Sequence, residues 1–433
     1  MILRFSLENW MSFRERSTLN MIATRERQHS DRIARIDPYS IRLLPIAVLY
    51  GGNASGKTNL FRALKFAKSL VVKGTQPGGL IAVEEFRLHT ANAGMPTRFD
   101  LEILVEGVVY EFSFSVTRQK VLEEKLVQIT RAKEQVLYHR HNDEIEFSSS
   151  LKNDQLLKFA FQGTRENQLF LTNTVSQNVS RFFPIYAWFR DQLVLIAPDS
   201  RFEPFESYID ENSPMYDAMN HFLRRLDTGI DALGSEVVPF EHLPIPEDLK
   251  SALQDTIKEG MPVRVVLSPN KEMYVITRKG GELMAKKLVT FHLREDGSQE
   301  KFEIRHESDG TQRVIDLLPA FLDLISPGSE KVYVIDEVDR SIHPLLARQM
   351  LESYLSSCIS TSRKQLLMTT HNVQLMDQKL LRRDELWITE RETNGETSLA
   401  SFSEFKDVRY DKDIRKSYLQ GRLGGVPHLQ VYG

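Results

Sequence analysis

The sequence has 433 residues, a net charge of −3, a pI near 6.4, and 41% hydrophobic and 27% charged residues. That is the balance of a globular protein with room for one head domain and one insert, and it lacks the basic excess of a general nucleic-acid binder. Its apolar runs are strand-length, which excludes a membrane-spanning helix, and the single Cys358 excludes an internal disulfide framework or a cysteine-based zinc cluster.

Met1 to Ser6 reads as the start of a strand and lacks the layout of a secretory signal, so a cytoplasmic location is expected. Arg25, Arg27, Arg32 and Arg35 are interleaved with Glu26 and Asp31 and read as solvated or partner-facing surface. Ile46 to Tyr50 is a short apolar run, as in a strand buried on both faces of a parallel sheet. Gly51-Gly52-Asn53-Ala54-Ser55-Gly56-Lys57-Thr58 then matches G-x-x-x-x-G-K-[ST] at every fixed position. Past Asn59, residues Leu60, Phe61, Leu64, Ala67 and Val71 recur at helical spacing.

Strand, glycine loop and helix in this order make a phosphate loop. Backbone N–H groups from Gly51 through Asn59 would curl around phosphates, aided by the helix dipole. Lys57 would neutralise the β- and γ-phosphates, and the Thr58 hydroxyl would hold Mg²⁺.

Phe99, Leu101, Ile103 and Val105 alternate, Glu106-Gly107 can turn, and Tyr110, Phe112, Phe114 and Val116 alternate back, predicting a β-hairpin. From 131 to 262 the pattern is mixed. Met215, Met219, Phe222, Leu223 and Leu226 predict an amphipathic helix, and a second helix is expected after the linker-like Pro239 to Pro246. Short strands are expected again from Val263 through Met273 to Thr277. No heptad pattern is sustained, so long coiled-coil arms are excluded.

Glu307-Ser308-Asp309-Gly310-Thr311 starts a helix whose face carries Val314, Leu317, Leu318 and Phe321. Val332 to Ile335 is another buried strand ending in Asp336 and Glu337, 278 residues after Thr58. Carboxylates there stand where open α/β sheets bind ligands. Asp336 would hold Mg²⁺, and Glu337 would orient and deprotonate the attacking water. Asp339 follows, and His343-Pro344 opens a helix, into which Cys358 is expected to pack. Gln365 to Thr369 is a further apolar strand, after which His371 would reach the γ-phosphate. A second basic cluster, Lys406, Arg409, Lys412, Arg415, Lys416 and Arg422, is again interleaved with acids.

This order of motifs resembles an ABC-type ATPase of the SMC, RecF and OLD branch. Within it the chain looks most like the stand-alone ATPases of bacterial phage-defence and abortive-infection operons, such as AbiLi and RloA. Leu3 to Phe13, Asp336 to Pro344 and Tyr418 to Pro427 carry that likeness. The fold implied is α/β: a P-loop NTPase of ABC-type head architecture, with an antiparallel β-subdomain and an inserted mixed, partly helical subdomain. The expected division is 1–130 for the first half of the head, 131–262 for the insert, and 263–433 for the second half.

The resemblance implies ATP and Mg²⁺ as cofactors and a homodimer, or a higher even-numbered oligomer, with composite ATP sites. In such a dimer Ser308 and Gly310 of one subunit would close on the γ-phosphate held by Lys57 of the other, and Asp339 would lie across the interface. It implies a nucleotide-driven switch in anti-phage defence that controls a separate effector, often a nuclease encoded beside it. Two departures stand out. Glu307, Asp309 and Thr311 replace three residues of the usual Leu-Ser-Gly-Gly-Gln signature, and the Mg²⁺-sensing glutamine is missing, with Glu84-Glu85-Phe86 as its stand-in. A RecF-like DNA clamp is the alternative and would need a continuous basic face. A fused OLD-type nuclease is disfavoured, because only 62 residues follow His371. A nonhydrolysing scaffold is disfavoured by the intact Lys57, Asp336 and Glu337.

Overall fold

The structure is a computed structural model and describes residues 1–199, 213–259, 263–267, 272–405 and 413–425. Lys406, Arg409 and Lys412 of the second basic cluster, and Val426 and Pro427 of the tail, lie outside the described residues. Two compact units divide the chain. The first comprises Met1–Pro198, Leu324–Asp339 and Arg348–Gly433, and the second Asp199–Asp323 and Arg340–Ala347.

The first unit is built on two sheets. One has seven strands in the order Glu144–Phe147, Glu134–His141, Val121–Ile129, Val108–Val116, Thr97–Val105, Ile2–Glu8 and Ser17–Asn20, each antiparallel to its neighbours. The predicted hairpin is its centre: Val105 pairs with Val108, and Glu106 and Gly107 turn with φ of 49° and 80°. Positive φ at both turn residues is what a tight two-residue hairpin demands.

The other sheet has six strands in the order Leu193–Ile196, Val332–Ile335, Gln365–Thr369, Ile46–Tyr50, Leu386–Arg391 and Thr397–Ser401. The first five are parallel and the last is antiparallel. The apolar runs at 46–50 and 332–335 are buried at every residue, as central parallel strands must be. One hydrophobic core joins both sheets to the helix Lys57–Val72, with Phe5, Phe99 and Phe112 from the first sheet, Val334, Leu367 and Trp387 from the second, and Leu60, Ala63, Leu64 and Ala67 from the helix.

Gln365 ties the two sheets together by hydrogen bonds. Its fully buried side chain accepts from Ile2 N (2.6 Å) and donates to Ile2 O (3.0 Å) and Leu44 O (3.1 Å). Three backbone groups that would otherwise be buried without partners are thus satisfied by one side chain.

The second unit holds its own sheet, Ala232–Pro239, Glu282–Leu293, Glu272–Lys279 and Val263–Leu267 in order, with Gln299–Glu303 paired to the long second strand. The helices expected around Met215 and after Pro246 are Pro214–Arg225, capped by Ser213, and Glu247–Thr256. Phe240, Leu243, Ile257 and Ile276 form a small core of their own.

Four expectations are corrected. The division differs from a 131–262 insert, because Glu134–His141 and Glu144–Phe147 complete the seven-stranded sheet and Leu193–Ile196 pairs with Val332–Ile335. The helix beginning at Asp309 belongs largely to the second unit. Arg32 is not surface: it is 6% exposed, pairs with Glu385 and donates to Leu380 O at 2.9 Å. Cys358 is buried just past the helix Pro344–Ser356 rather than inside it, with Sγ 3.5 Å from Tyr354 O. Among the described residues, no helix is long and apolar enough to cross a membrane.

Gln365→Leu removes all three sheet-bridging bonds and leaves the Ile2 and Leu44 groups buried without them. Denaturant unfolding should show a loss of about 2–5 kcal/mol, since each orphaned buried polar group costs about 1–3 kcal/mol.

Candidate functional site

Parallel pairing brings the distant motifs together. Gln365–Thr369 pairs with Val332–Ile335 on one side and Ile46–Tyr50 on the other, so the carboxylates, the histidine segment and the glycine loop leave the same sheet edge. That edge holds the C-terminal ends of the strands, where the backbone stops pairing and can turn toward a ligand.

The loop is fixed from behind by hydroxyls. Ser55 Oγ lies 2.8 Å from Thr389 Oγ1, and Thr397 Oγ1 donates to Ser55 O at 3.0 Å. Thr397 Oγ1 also lies 2.7 Å from Ser12 Oγ, which accepts from Asn59 Nδ2 at 2.8 Å. Trp10 Nε1 donates to Asn59 O at 2.9 Å. These contacts explain the two fixed glycines. A Cβ on Gly51 would stand 2.4 Å from Ser55 Oγ, and one on Gly56 2.5 Å from Thr397 Oγ1. Gly56 is also left-handed, with φ of 107°, where it caps the helix Lys57–Val72. Asn53 and Ala54 form the exposed tip.

Lys57 is 6% exposed, and its Nζ donates to the loop's own carbonyls, Gly51 O (2.7 Å) and Gly52 O (3.0 Å). Burial pulls its pKa down to about 8, against the opposing pull of Asp336, Glu337 and Asp339. The cation is thus bonded to the loop and lies within the electrostatic pull of the three carboxylates.

Asp336 is fully buried. Its Oδ1 accepts from the Thr369 hydroxyl at 2.5 Å, and the same Thr369 Oγ1 accepts from Glu337 N at 2.8 Å. Thr369 O further accepts from Val338 N at 3.1 Å. One threonine therefore sets the carboxylate that would hold a cation and the backbone of the expected general base. Glu337 sits at φ 50°, a left-handed conformation that costs a residue with a Cβ about 1–2 kcal/mol. The Thr369 contacts hold it there.

Asp339 accepts from His371 N, at 3.2 Å to Oδ2 and 3.4 Å to Oδ1, so its carboxylate is engaged within its own chain. Burial, and then Lys57, lower the His371 pKa, while the three carboxylates oppose them. The imidazole is therefore neutral near pH 7.

In the second unit, Ser308 Oγ accepts from Thr311 N at 3.1 Å and caps the helix Asp309–Ile325. Asp309 lies in the first turn, where a carboxylate complements the helix dipole. Gly310 is required by packing, because a Cβ there would come within 2.5 Å of Ser341 O. The stand-in segment at Glu84 to Phe86 is anchored to the opening strand's end, with Met11 N donating to Glu84 O (2.8 Å) and Phe86 N to Asn9 Oδ1 (3.2 Å).

The residues present fit a Mg²⁺–nucleotide. Asp336 Oδ2 is buried with no hydrogen-bond partner among the described residues, an arrangement that a bound cation would relieve. Thr58 lies beside Lys57 in the first turn of the helix Lys57–Val72. Thr369, Thr389, Thr397 and Ser12 were not singled out as site residues in the sequence. Thr389 could have been, as a polar residue following Leu386-Trp387-Ile388, and Thr369 as the polar end of a strand one position before Thr370-His371.

The family model described as "AAA domain, putative AbiEii toxin, Type IV TA system" matches residues 46–377. No curated protein matches the chain. Among solved structures, the SMC head domain from Thermotoga maritima is similar at 14% identity and a TM-score of 0.37, over 92% of this chain and 98% of that one. The SmcHead bound to the C-winged helix domain of ScpA is similar at 10% identity and a TM-score of 0.39, over 96% and 99%.

Thr369→Val keeps the side-chain shape and removes the hydroxyl shared by Asp336 and Glu337. Steady-state kinetics should show kcat for ATP lowered about 10–100-fold, the usual cost of losing such an orienting partner, with nucleotide affinity changed far less. The Lys57 shift predicts a pH dependence. Phosphate selects the ammonium form, so affinity is full below about pH 8 and falls above it, by up to about tenfold per unit. Calorimetry above pH 8 should register proton uptake on ATP binding.

Proposed function

The chain belongs to the AbiEii-type AAA-domain family, and from that premise we propose that it is a Mg²⁺-dependent ATPase acting as a dimeric, nucleotide-driven switch. The observation that carries this reading is the convergence of Lys57, Asp336, Glu337 and His371 at one sheet edge, with Asp336 Oδ2 left free for a cation.

Backbone N–H groups of the Gly51–Thr58 loop and the Lys57 ammonium bind the phosphates. Asp336 and the Thr58 hydroxyl are the residues that would hold the metal. Mg²⁺, when bound, neutralises charge on the phosphates and keeps them in one orientation. Glu337 accepts the proton of the attacking water, its backbone held at its strained φ by Thr369. His371, neutral near pH 7, offers a hydrogen bond rather than a charge, suited to sensing the terminal phosphate. Its amide is fixed by Asp339, which links the carboxylate segment to the sensing segment.

In the switch, Ser308 and Gly310 of one subunit close on the phosphates held by Lys57 of the other, and hydrolysis releases the pair. The chain carries one phosphate loop and one such helix start, so closure of that kind requires two copies. The biological role proposed is bacterial anti-phage defence of the abortive-infection type, in which nucleotide state holds or releases a separate effector, most consistent with a nuclease. The AbiEii-toxin wording of the family description and the likeness to AbiLi and RloA support it.

Glu337→Gln should lower ATP turnover at least about 100-fold while preserving binding, and size-exclusion with light scattering should show an ATP-stabilised dimer. Turnover at the wild-type rate would remove Glu337 from the role of base.

A further inference from the structure

We infer that the outward face of the seven-stranded sheet carries a binding site for a transition-metal dication of the Zn²⁺ type, formed by Glu123, His139 and His141. The site is independent of the phosphate loop and of the proposed ATPase.

Strand geometry builds it. His139 and His141 are two residues apart on Glu134–His141 and so share a face. Glu123, on Val121–Ile129, is directly opposite His141 in the antiparallel register, and Lys125 is opposite His139. Tyr138 and Arg140 alternate to the other face, which is buried, where Arg140 meets Glu124. One potential ligand atom from each of Glu123, His139 and His141 lies within 4.8 Å of the other two. The two imidazole rings are 4.0 Å apart between centroids.

The donor set is the informative part. Two imidazoles and one carboxylate suit Zn²⁺ and its first-row neighbours, not Mg²⁺ or Ca²⁺, which prefer oxygen throughout. Bonds of about 2.0–2.2 Å in a tetrahedron put ligand atoms about 3.3–3.5 Å apart, so small side-chain rotations suffice. His139 Nε2 already lies 2.8 Å from Glu123 Oε1, within hydrogen-bonding distance. A metal ion would take the place of that hydrogen bond, with His139 bound through Nε2 as the neutral imidazole and its N–H on Nδ1.

The carboxylate is also oriented from outside. Arg98 Nη1 donates to Glu123 Oε2 at 3.0 Å, and Arg98 Nε donates to Asp100 Oδ1 at 3.1 Å. This holds one carboxylate oxygen and leaves Oε1 turned toward the histidines, the arrangement of a supported ligand. Glu144 and Glu146 are cross-strand neighbours of His141 and His139 on the adjoining edge strand and add negative charge to the same face. With three protein ligands, the site would keep a coordination position for solvent or for a donor from a partner.

The test uses the full-length protein, stripped with chelator and titrated with ZnCl₂ alone. Calorimetry should give saturable Zn²⁺ uptake, unaffected by excess Mg²⁺. The double variant H139A/H141A should bind one ion fewer per chain, and E123Q should weaken that ion's binding at least about tenfold. Both variants should match the wild type in circular dichroism and in metal-free Tm, because these side chains are at least partly exposed. Co²⁺ added to the wild type should give visible absorption bands that H141Q lacks. Equal Zn²⁺ stoichiometry in the wild type and H139A/H141A, or no uptake by the wild type, would overturn the assignment.

Discussion

The strand Gln365–Thr369 is the constraint on which the first unit depends. Its parallel pairing on both sides is the only reason that a loop at 51–58 and carboxylates at 336 and 337 share an edge. At one end Gln365 fastens the opening strand of the antiparallel sheet by bonds to Ile2. At the other end the Thr369 hydroxyl joins Asp336 to the amide of Glu337. A five-residue element thus couples the union of the sheets to the alignment of the chemistry. The energetic logic is the same at both ends: buried polar groups are satisfied by one side chain apiece, and removing either leaves several orphans.

The site stores unbalanced electrostatics. Among the described residues, Asp336 keeps a buried oxygen without a hydrogen-bond partner, Lys57 is depressed in pKa while bonded to loop carbonyls, and Glu337 is held in a strained backbone conformation. The first two carry a cost that a cation at Asp336 and a phosphate at Lys57 would offset. Binding would therefore have somewhere to deliver its energy, as the proposed nucleotide-driven switch requires. Thr389 and Thr397 supply the stiffness: they pack so closely behind Gly51 and Gly56 that no side chain fits there.

Much of this was legible in the sequence because it obeys local rules. The apolar runs at 46–50 and 332–335, the glycine loop, the Glu106-Gly107 hairpin and the Ser308 cap are each decided within a few residues. What was not legible depends on contacts between distant segments. Arg32 looks like part of a basic surface cluster until Glu385, more than 350 residues away, is seen to neutralise it in the interior. Thr369 looks like an ordinary strand residue until it meets Asp336. The units differ from a 131–262 insert because edge strands such as Glu144–Phe147 are only four residues long, and their pairing is what assigns them to a sheet. The tail glycine Gly425 gains a reason in the same way, since it is left-handed at φ 67° and a Cβ there would stand 2.6 Å from Ile388 Cγ1.

The central claim is that these residues make an ATP-hydrolysing site completed by a second copy of the chain. Mixing two inactive proteins tests it directly, one carrying Lys57→Ala and the other Ser308→Ala. Exchange of subunits rebuilds one site with an intact Lys57 and an intact Ser308. The account predicts that ATPase activity absent from either variant alone returns on mixing, to a substantial fraction of the wild-type rate per dimer. Mixed dimers that form and remain inactive would contradict it.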